Sequence, residues 1–297
     1  MSLALGLSLG LLLVLVFLLL ASWAIRRALA APRLIERSTP ADLGLTFRTV
    51  AFPTSNGRTL RGWFIPAQRQ TAPAVVLLHG WGGNAETMLP LAGPLHRAGY
   101  AQLLFDARCH GMSDDDSFAS LPRFAEDLEH ALAWLRQQVG IDAARVAAIG
   151  HSVGAGACLF AAARGAPLAA GVSIAAFAHP EAMMRRWLAW KHIPYWPLGW
   201  AILGYVQHAI GHRFDAIAPV NTIRTVRWPV LLAHGTADET VPVEEVRQIF
   251  ANRAHDAVEL LLIAGSHDEY AEMDAGIDAV LEFLSRHLLA KGAVHES

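Results

Sequence analysis

The sequence predicts an α/β fold, with a mostly parallel and doubly wound sheet, preceded by a membrane-spanning helix. Unbroken apolar runs of strand length recur along the chain, which is typical of parallel strands covered by helices on both faces. Patterns of helical period separate most of these runs, and this alternation builds βαβ units. The predicted parallel strands cover residues 74–79, 100–106, 145–150, 168–177, 229–235 and 258–265.

The chain begins with the uncharged apolar run MSLALGLSLGLLLVLVFLLLASWAI. As a helix this run measures about 37 Å, enough to cross a hydrocarbon core of about 30 Å. Arg26, Arg27 and Arg33 follow the run and no Lys or Arg precedes it. The positive-inside rule therefore predicts a single-pass membrane anchor with the rest of the chain in the cytoplasm. A cleaved secretory signal is the alternative, but such signals carry their charge before the apolar stretch.

Between the anchor and the parallel strands the sequence predicts a tether and a hairpin. Pro32 and Pro40 lie in a mixed segment that suits a short tether leading away from the bilayer. The β-rich segments FRTVAF and LRGWFIP then flank an Asn-Gly pair, which is a strong turn signal. We divide the chain into a transmembrane anchor at 1–25, a linker at 26–45 and a main domain at 46–290.

The alternation of strands and helices stops between the runs at 168–177 and 229–235. This gap of about fifty residues is too long for an ordinary connection and predicts an inserted helical cap at about 179–227. Its aromatic side chains suit three roles that the sequence leaves open: lining an apolar substrate pocket, packing the cap on the core, or touching the bilayer surface. The residues concerned are Trp187, Trp190, Tyr195, Trp196, Trp200 and Tyr205.

Composition excludes several classes of protein. With 24 basic and 26 acidic residues, the chain offers no strongly basic face, so we expect no nucleic-acid partner. Cys109 and Cys158 each lie in an apolar stretch, which argues against a disulfide framework. Several histidines fall at predicted strand ends, but without the short paired spacing of metal ligands, so we expect no metal and no other cofactor. We expect His79, His110 and His234 to hydrogen-bond loops instead.

One short stretch, VAAIGHSVGAG, carries the first chemical signal. Gly150, Ser152 and Gly154 fit the pattern G-x-S-x-G, a sharp strand-to-helix turn that exposes a serine hydroxyl. The glycines are required because a Cβ at either position would collide with a neighbouring element. In open sheets of this kind ligands bind beyond the carboxyl ends of the strands, where Ser152 falls. Ser152 is therefore the candidate nucleophile.

A serine hydroxyl needs a general base and a third group to orient that base. Asp238 follows the apolar run 229–235, and His267 follows the last predicted strand. Both therefore fall at the same edge of the sheet as Ser152. The chain order serine, acid, histidine is one of those in which this arrangement is known. Glu239 is the alternative acid.

Hydrolysis of an acyl group also requires hydrogen-bond donors for the developing oxyanion. One candidate is the backbone N–H of Val153, directly after the serine. The other lies in the loop after the first parallel strand, HGWGGN, where Trp81 N–H is the best candidate. Asp106 and Arg108 are predicted to brace a loop as a pair rather than to react.

Four signatures together resemble the α/β-hydrolase superfamily over about residues 46–290: LLHGWGGN, FDARCHGMSD, GHSVG, and HGTADETVP with GSHDEY. Within it, the chain is similar to bacterial membrane-anchored serine hydrolases with a helical cap, the serine-aminopeptidase-like branch. Cys109 departs from the family, which usually has glycine at this position of D-x-R-G-H-G.

The resemblance implies hydrolysis of an ester, thioester or amide through an acyl-enzyme on Ser152. The substrate expected is a small-molecule or lipid-like acyl compound, and the apolar cap favours a hydrophobic one. Three alternatives remain: acyl transfer, cofactor-free haloperoxidase-type chemistry, and a non-catalytic membrane scaffold. No sequence feature indicates the oligomeric state.

Overall fold

A computed structural model describes residues 3–267 and 273–289 of the 297-residue chain. Asp268, Glu269 and Tyr270 of the predicted GSHDEY motif lie outside the described residues. The first helix, α1, runs from Leu3 to Ala28. Its segment Leu7–Ala28 has a mean hydropathy of 2.6 and is long and apolar enough to cross a membrane.

The main domain is built on one eight-stranded sheet in the order β1-β2-β4-β3-β5-β6-β7-β8. The strands are β1 (Arg48–Thr54), β2 (Arg58–Ile65), β3 (Ala72–Leu78), β4 (Ala101–Asp106), β5 (Ile141–His151), β6 (Ala170–Ile174), β7 (Val230–Gly235) and β8 (Val258–Ile263). β1 and β2 pair antiparallel, β2 pairs antiparallel with β4, and all other neighbours are parallel. The predicted α/β class with a mostly parallel sheet is thus confirmed.

The turn between β1 and β2 uses the Asn-Gly pair as predicted. Asn56 has a φ of 61° and Gly57 a φ of 64°. Both lie in the left-handed region, which asparagine and glycine enter at lower cost than other residues. The two strands pair in register from Arg48 opposite Phe64 to Thr54 opposite Arg58.

Helices cover the sheet on both faces because successive side chains of the buried strands point in opposite directions. The flanking helices are α2 (Leu89–Arg97), α3 (Leu121–Leu135), α4 (Val153–Ala163), α9 (Val243–Ala251) and α10 (Met273–Leu288). On one face, Val76 and Leu78 of β3 share a core with α3 and α4. On the other face, Val75 and Leu77 pack with α2 and α10.

A run of helices lies between β6 and β7, within the span predicted for a cap. They are α5 (Pro180–Trp190), α6 (Trp200–Ile210), α7 (Phe214–Ile217) and α8 (Pro219–Thr222). Their inner side chains, including Leu188, Leu203 and Phe214, are buried in the same apolar cluster as α4. The cap therefore sits over the end of the sheet at which α4 begins.

Residues 29–38, which we call the N-terminal strap, follow α1 and lie against the main domain. The Arg33 guanidinium donates to the carbonyls of Gly111 at 3.0 Å and Ser113 at 2.9 Å. The Asn84 amide donates to the carbonyl of Leu34 at 3.1 Å. These bonds satisfy backbone carbonyls of the main domain and of the strap.

Candidate active site

Ser152 occupies a strained turn between β5 and α4. Its φ of 54° and ψ of −116° place a non-glycine residue in a sparsely populated region of backbone space, which costs about 1–3 kcal/mol. The surroundings hold it there: its N–H donates to the carbonyl of Ile174 at 2.8 Å. A Cβ on Gly154 would collide with the carbonyl oxygens of Leu78 and His79. The turn therefore accommodates only glycine at that position.

The three residues predicted to react lie together at the carboxyl edge of the sheet. His267 Nε2 is 3.1 Å from Ser152 Oγ. His267 Nδ1 is 2.7 Å from Asp238 Oδ2. The Asp238 side chain is fully buried, and 11% of the His267 side chain is exposed. The described geometry thus joins hydroxyl, imidazole and carboxylate in one chain of hydrogen bonds.

The carboxylate of Asp238 determines the tautomer of His267. An ionised carboxylate only accepts hydrogen bonds, so His267 Nδ1 must carry the proton that it donates. The lone pair of Nε2 then faces Ser152 Oγ, and the hydroxyl donates to it. This is the arrangement in which an imidazole can remove the proton of a serine.

Asp238 is itself fixed by its own turn. Its Oδ1 accepts the N–H groups of Thr240 at 2.9 Å and Val241 at 2.8 Å. The Nε2–H of His234 donates to the Val241 carbonyl at 2.8 Å and lies 3.3 Å from Asp238 Oδ2. Glu239, the alternative acid, is exposed. The structure therefore brings Asp238, and not Glu239, to His267.

His151 contributes a contact that sequence reasoning missed. Its Nε2–H donates to the backbone carbonyl of His267 at 3.0 Å, and the two rings lie 5.0 Å apart. The sequence treats this position only as the variable residue of G-x-S-x-G. The sole available signal was that both histidines follow strands that end at one edge of the sheet.

The two predicted oxyanion donors border the serine. Val153 is the first residue of α4, so its N–H belongs to the helix N-terminus and has no partner within the helix. A Cβ on Gly80 would lie 3.1 Å from Ser152 Cβ, so the loop that carries Trp81 passes beside the nucleophile. The Trp81 ring stacks over Phe124 at 6.3 Å.

His79 and His110 hydrogen-bond loops beneath the site. His79 Nδ1 donates to the Gly80 carbonyl at 2.7 Å, and its Nε2 accepts the N–H of Ala107 at 3.0 Å. Burial, with the nearby His110, lowers the pKa of His79 to about 3. His110 Nδ1 donates to the carbonyl of Arg108 at 2.9 Å. The hydrogen bond from Ala107 to His79 thus connects the loop of Trp81 to the loop after β4, and the His110 ring lies 5.8 Å from the Trp81 ring.

Asp106 and Arg108 brace this region separately, which corrects the prediction that they form a pair. Asp106 accepts the N–H groups of Ala85 at 2.8 Å and Met112 at 2.9 Å. Arg108 is buried and binds Asp127 at 2.8 Å. Their side chains diverge because Arg108 lies in the turn after β4 ends at Asp106, where the alternation of an extended strand no longer determines side-chain direction.

Cys109 adopts the glycine-like conformation of the family pattern that it replaces. Its φ is 68°. Its Sγ accepts the N–H of Asp116 at 3.3 Å, which compensates part of the strain. Burial raises the pKa of Cys109, and that of the buried Cys158 to about 12, so both thiols stay protonated.

Comparison with known proteins agrees with this architecture. A family model of the α/β hydrolase fold matches residues 73–210. A protein of Mycobacterium tuberculosis strain H37Rv, named as uncharacterized, is 28% identical over 248 residues, covering 80% of this chain and 79% of the relative. A polyketide transferase of Aspergillus fumigatus is 31% identical over 133 residues, covering 44% of this chain and 45% of the relative.

Solved structures show the same fold. An esterase from Pyrococcus furiosus superposes with a TM-score of 0.70 at 24% identity, covering 87% of this chain and 99% of that chain. The sheet topology, the matched segment and the superposition together show that this chain has the α/β-hydrolase fold.

Proposed function

We propose that the protein is a serine hydrolase that cleaves an acyl ester through a covalent intermediate on Ser152. One observation carries the proposal: the hydrogen-bonded chain from Ser152 through His267 to Asp238, at 3.1 and 2.7 Å. Thioesters and amides pass through the same intermediate and are further candidate substrates.

In the proposed mechanism, Ser152 Oγ attacks the carbonyl carbon while His267 Nε2 takes the hydroxyl proton. The backbone N–H groups of Val153 and Trp81 donate to the oxyanion that forms. As this intermediate collapses, His267 returns the proton to the leaving alcohol. Water then attacks the acyl-enzyme with His267 as base, which releases the acid and restores Ser152.

The proposed location follows from α1. The helix anchors the chain as a single pass, and Arg26 and Arg27 at its carboxyl end favour a cytoplasmic position for the main domain. A site close to the bilayer, beneath an aromatic cap, favours hydrophobic acyl substrates.

Acyl transfer is the second candidate, because a polyketide transferase is among the relatives. It uses the same acyl-enzyme, and an alcohol or amine takes the place of water in the second step. Product analysis with a competing alcohol separates the two reactions: hydrolysis gives mainly free acid, and transfer gives mainly the new ester.

The test is turnover of p-nitrophenyl esters of increasing acyl length by the detergent-solubilised full chain. Wild type is compared with Ser152→Ala and with the control Ser55→Ala in the β1–β2 turn. We expect turnover that rises with acyl length and is lost only in Ser152→Ala. Equal turnover by wild type and Ser152→Ala would overturn the proposal.

A further inference from the structure

The cap presents an aromatic surface to its surroundings. Exposed fractions are 69% for Trp190, 70% for Trp196, 52% for Leu198 and 58% for Trp200. The rings of Trp196 and Trp200 lie 5.7 Å apart. We call these four residues the cap aromatic face. Soluble monomers rarely expose such a patch unless it contacts a partner.

The cap is hydrogen-bonded to the carboxyl-terminal end of α1. Ser22 Oγ lies 2.5 Å from the Tyr205 hydroxyl on α6, and Arg26 Nε donates to the same hydroxyl at 2.9 Å. Ile25 packs against the core cluster that includes Ile202 and Leu203 of α6. Ser22 and Arg26 belong to the segment Leu7–Ala28 that is long enough to span a membrane. Tyr205 therefore lies at the level where α1 leaves the bilayer.

These contacts with α1 determine the position of the cap aromatic face along the bilayer normal. Trp200 precedes Tyr205 by five residues on α6, a rise of about 7.5 Å along the helix. The headgroup layer on each side of the hydrocarbon core is about 5–7 Å thick. Whichever way α6 runs, Trp200 and its neighbour Trp196 thus lie within reach of the membrane interface.

The chemistry of the face also fits lipid. Tryptophan is enriched at the membrane interface, where its ring meets apolar chains and its N–H meets headgroups. Arg185 pairs with Glu181 and Arg186 pairs with Glu245, so the positive charge beside the face is that of Lys191. The Lys191 ammonium lies 4.1 Å from the centre of the Trp190 ring. Basic charge beside exposed aromatic rings matches the anionic surface of a cytoplasmic leaflet.

We propose that the cap aromatic face inserts into the interface of the bilayer that α1 spans. The occupant of the face is the lipid headgroup layer. The protein is then held at two points, by the anchor and by the cap. The inference rests on the proposed membrane anchor and not on the proposed hydrolysis.

Insertion of the cap aromatic face determines the side from which substrate reaches Ser152. The cap follows β6, and Ile174 at the end of β6 accepts the N–H of Ser152. The N-terminal strap borders the other side: a Cβ on Gly82, next to Trp81, would meet the Pro32 ring at 2.8 Å. The N-terminal strap and the start of the cap therefore both lie near the serine, which favours entry of acyl compounds from the bilayer side.

The test places a fluorophore at chosen positions of the full chain in phosphatidylcholine vesicles containing phosphatidylserine. The background carries Cys109→Gly and Cys158→Ala. Trp196→Cys reports on the face. Leu13→Cys in α1 reports on the anchor. Val139→Cys, 99% exposed in the turn before β5 and thus at the opposite edge of the sheet, is the matched control.

Each label is quenched in turn by brominated lipid and by aqueous iodide. We expect lipid to quench the labels at 13 and 196, with a blue shift at 196, and iodide to quench the label at 139. Lipid quenching at 13 with iodide quenching at 196 would overturn the docked cap while leaving the anchor intact.

Two further outcomes count against the proposal. A label at 196 shielded from both quenchers, in a particle of twice the monomer mass, would assign the face to a second copy of the chain. A label at 13 that lipid fails to quench would remove the anchor and the docked cap together. We expect the quenching of all three labels to be the same in a Ser152→Ala background. Loss of the proposed hydrolysis is therefore distinguished from loss of membrane docking.

Discussion

His151 and His267 are joined by a hydrogen bond from the imidazole of the first to the backbone carbonyl of the second, at 3.0 Å. The residue beside the nucleophile thus holds the backbone of the base, although they are 116 positions apart in the chain.

Removing this bond should slow the reaction without weakening substrate binding. For His151→Ala we expect kcat to fall about 10- to 100-fold with KM unchanged, because small misplacements of a base are costly. The surface variant His130→Ala is the control. A loss confined to KM would show that His151 acts on binding instead.

Asp238→Asn should lower kcat by roughly 10³- to 10⁴-fold in a folded protein, because an amide no longer fixes the reactive tautomer of His267. Glu239→Gln, at the exposed neighbouring position, should leave kcat unchanged. Steady-state kinetics with circular dichroism as the folding check measures both. Equal losses in the two variants would contradict the assignment of Asp238.

The left-handed backbone at Cys109 should make substitution there depend on side-chain shape. Cys109→Gly relieves the strain but loses the contact with Asp116, so the free energy of unfolding should change by less than about 1 kcal/mol. Cys109→Val should destabilise by more than that, since β-branched residues tolerate a positive φ poorly. Denaturant unfolding in detergent compares them, and a stable Cys109→Val would refute the argument.

Asp127 should be far more important for stability than an exposed acid. Its carboxylate binds the guanidinium and the N–H of the buried Arg108, and it accepts the Thr54 hydroxyl at 2.7 Å. Asp127→Ala should therefore lower the free energy of unfolding by about 1–3 kcal/mol, because the buried Arg108 N–H and Thr54 hydroxyl lose their acceptor, while Asp116 and Glu126 still pair with the guanidinium. Asp115→Ala, whose side chain is 81% exposed in its pair with Arg33, should cost about 0–1 kcal/mol. Similar losses of unfolding free energy in the two variants would show that burial of an ion pair does not determine its contribution to stability.

The lowered pKa of His79 predicts how the free energy of unfolding changes with pH. Its pKa is about 3 when folded, below the ordinary 6.5, so between these values the unfolded chain binds more protons. Its contribution is fully present above pH 6.5 and is lost as pH falls toward about 3, at up to about 1.4 kcal/mol per pH unit. The ¹⁵N shifts of the ring should stay those of a neutral imidazole well below pH 6.5. Titration at the ordinary pKa would contradict this.

Much of the fold could be predicted because its signals are local. A strand such as β3 is apolar throughout, since both of its faces are buried, and the G-x-S-x-G turn needs glycine where backbones touch. The positions of Asp238 and His267 followed from one further rule, that parallel strands end at a common edge.

The rest depends on long-range contacts that leave no local pattern. From the sequence, Arg33 is interpreted as a charge that flanks a membrane span. In the structure it donates to the carbonyls of Gly111 and Ser113. The sequence shows only that His151 and His234 lie at strand ends. Their hydrogen-bond partners depend on how separate loops pack together. For the same reason, the aromatic residues of the cap could not be divided by sequence into buried and exposed ones.

Labelling with a fluorophosphonate shows whether the Ser152 hydroxyl is an activated nucleophile. The full chain in detergent is treated with the reagent, and the modified peptide is identified by mass spectrometry for wild type, Ser152→Ala and His267→Ala. We expect a single adduct on Ser152 in wild type, none in Ser152→Ala and a strongly slowed reaction in His267→Ala. A folded wild-type protein that stays unlabelled, or an adduct that forms equally in His267→Ala, would contradict an activated serine at position 152.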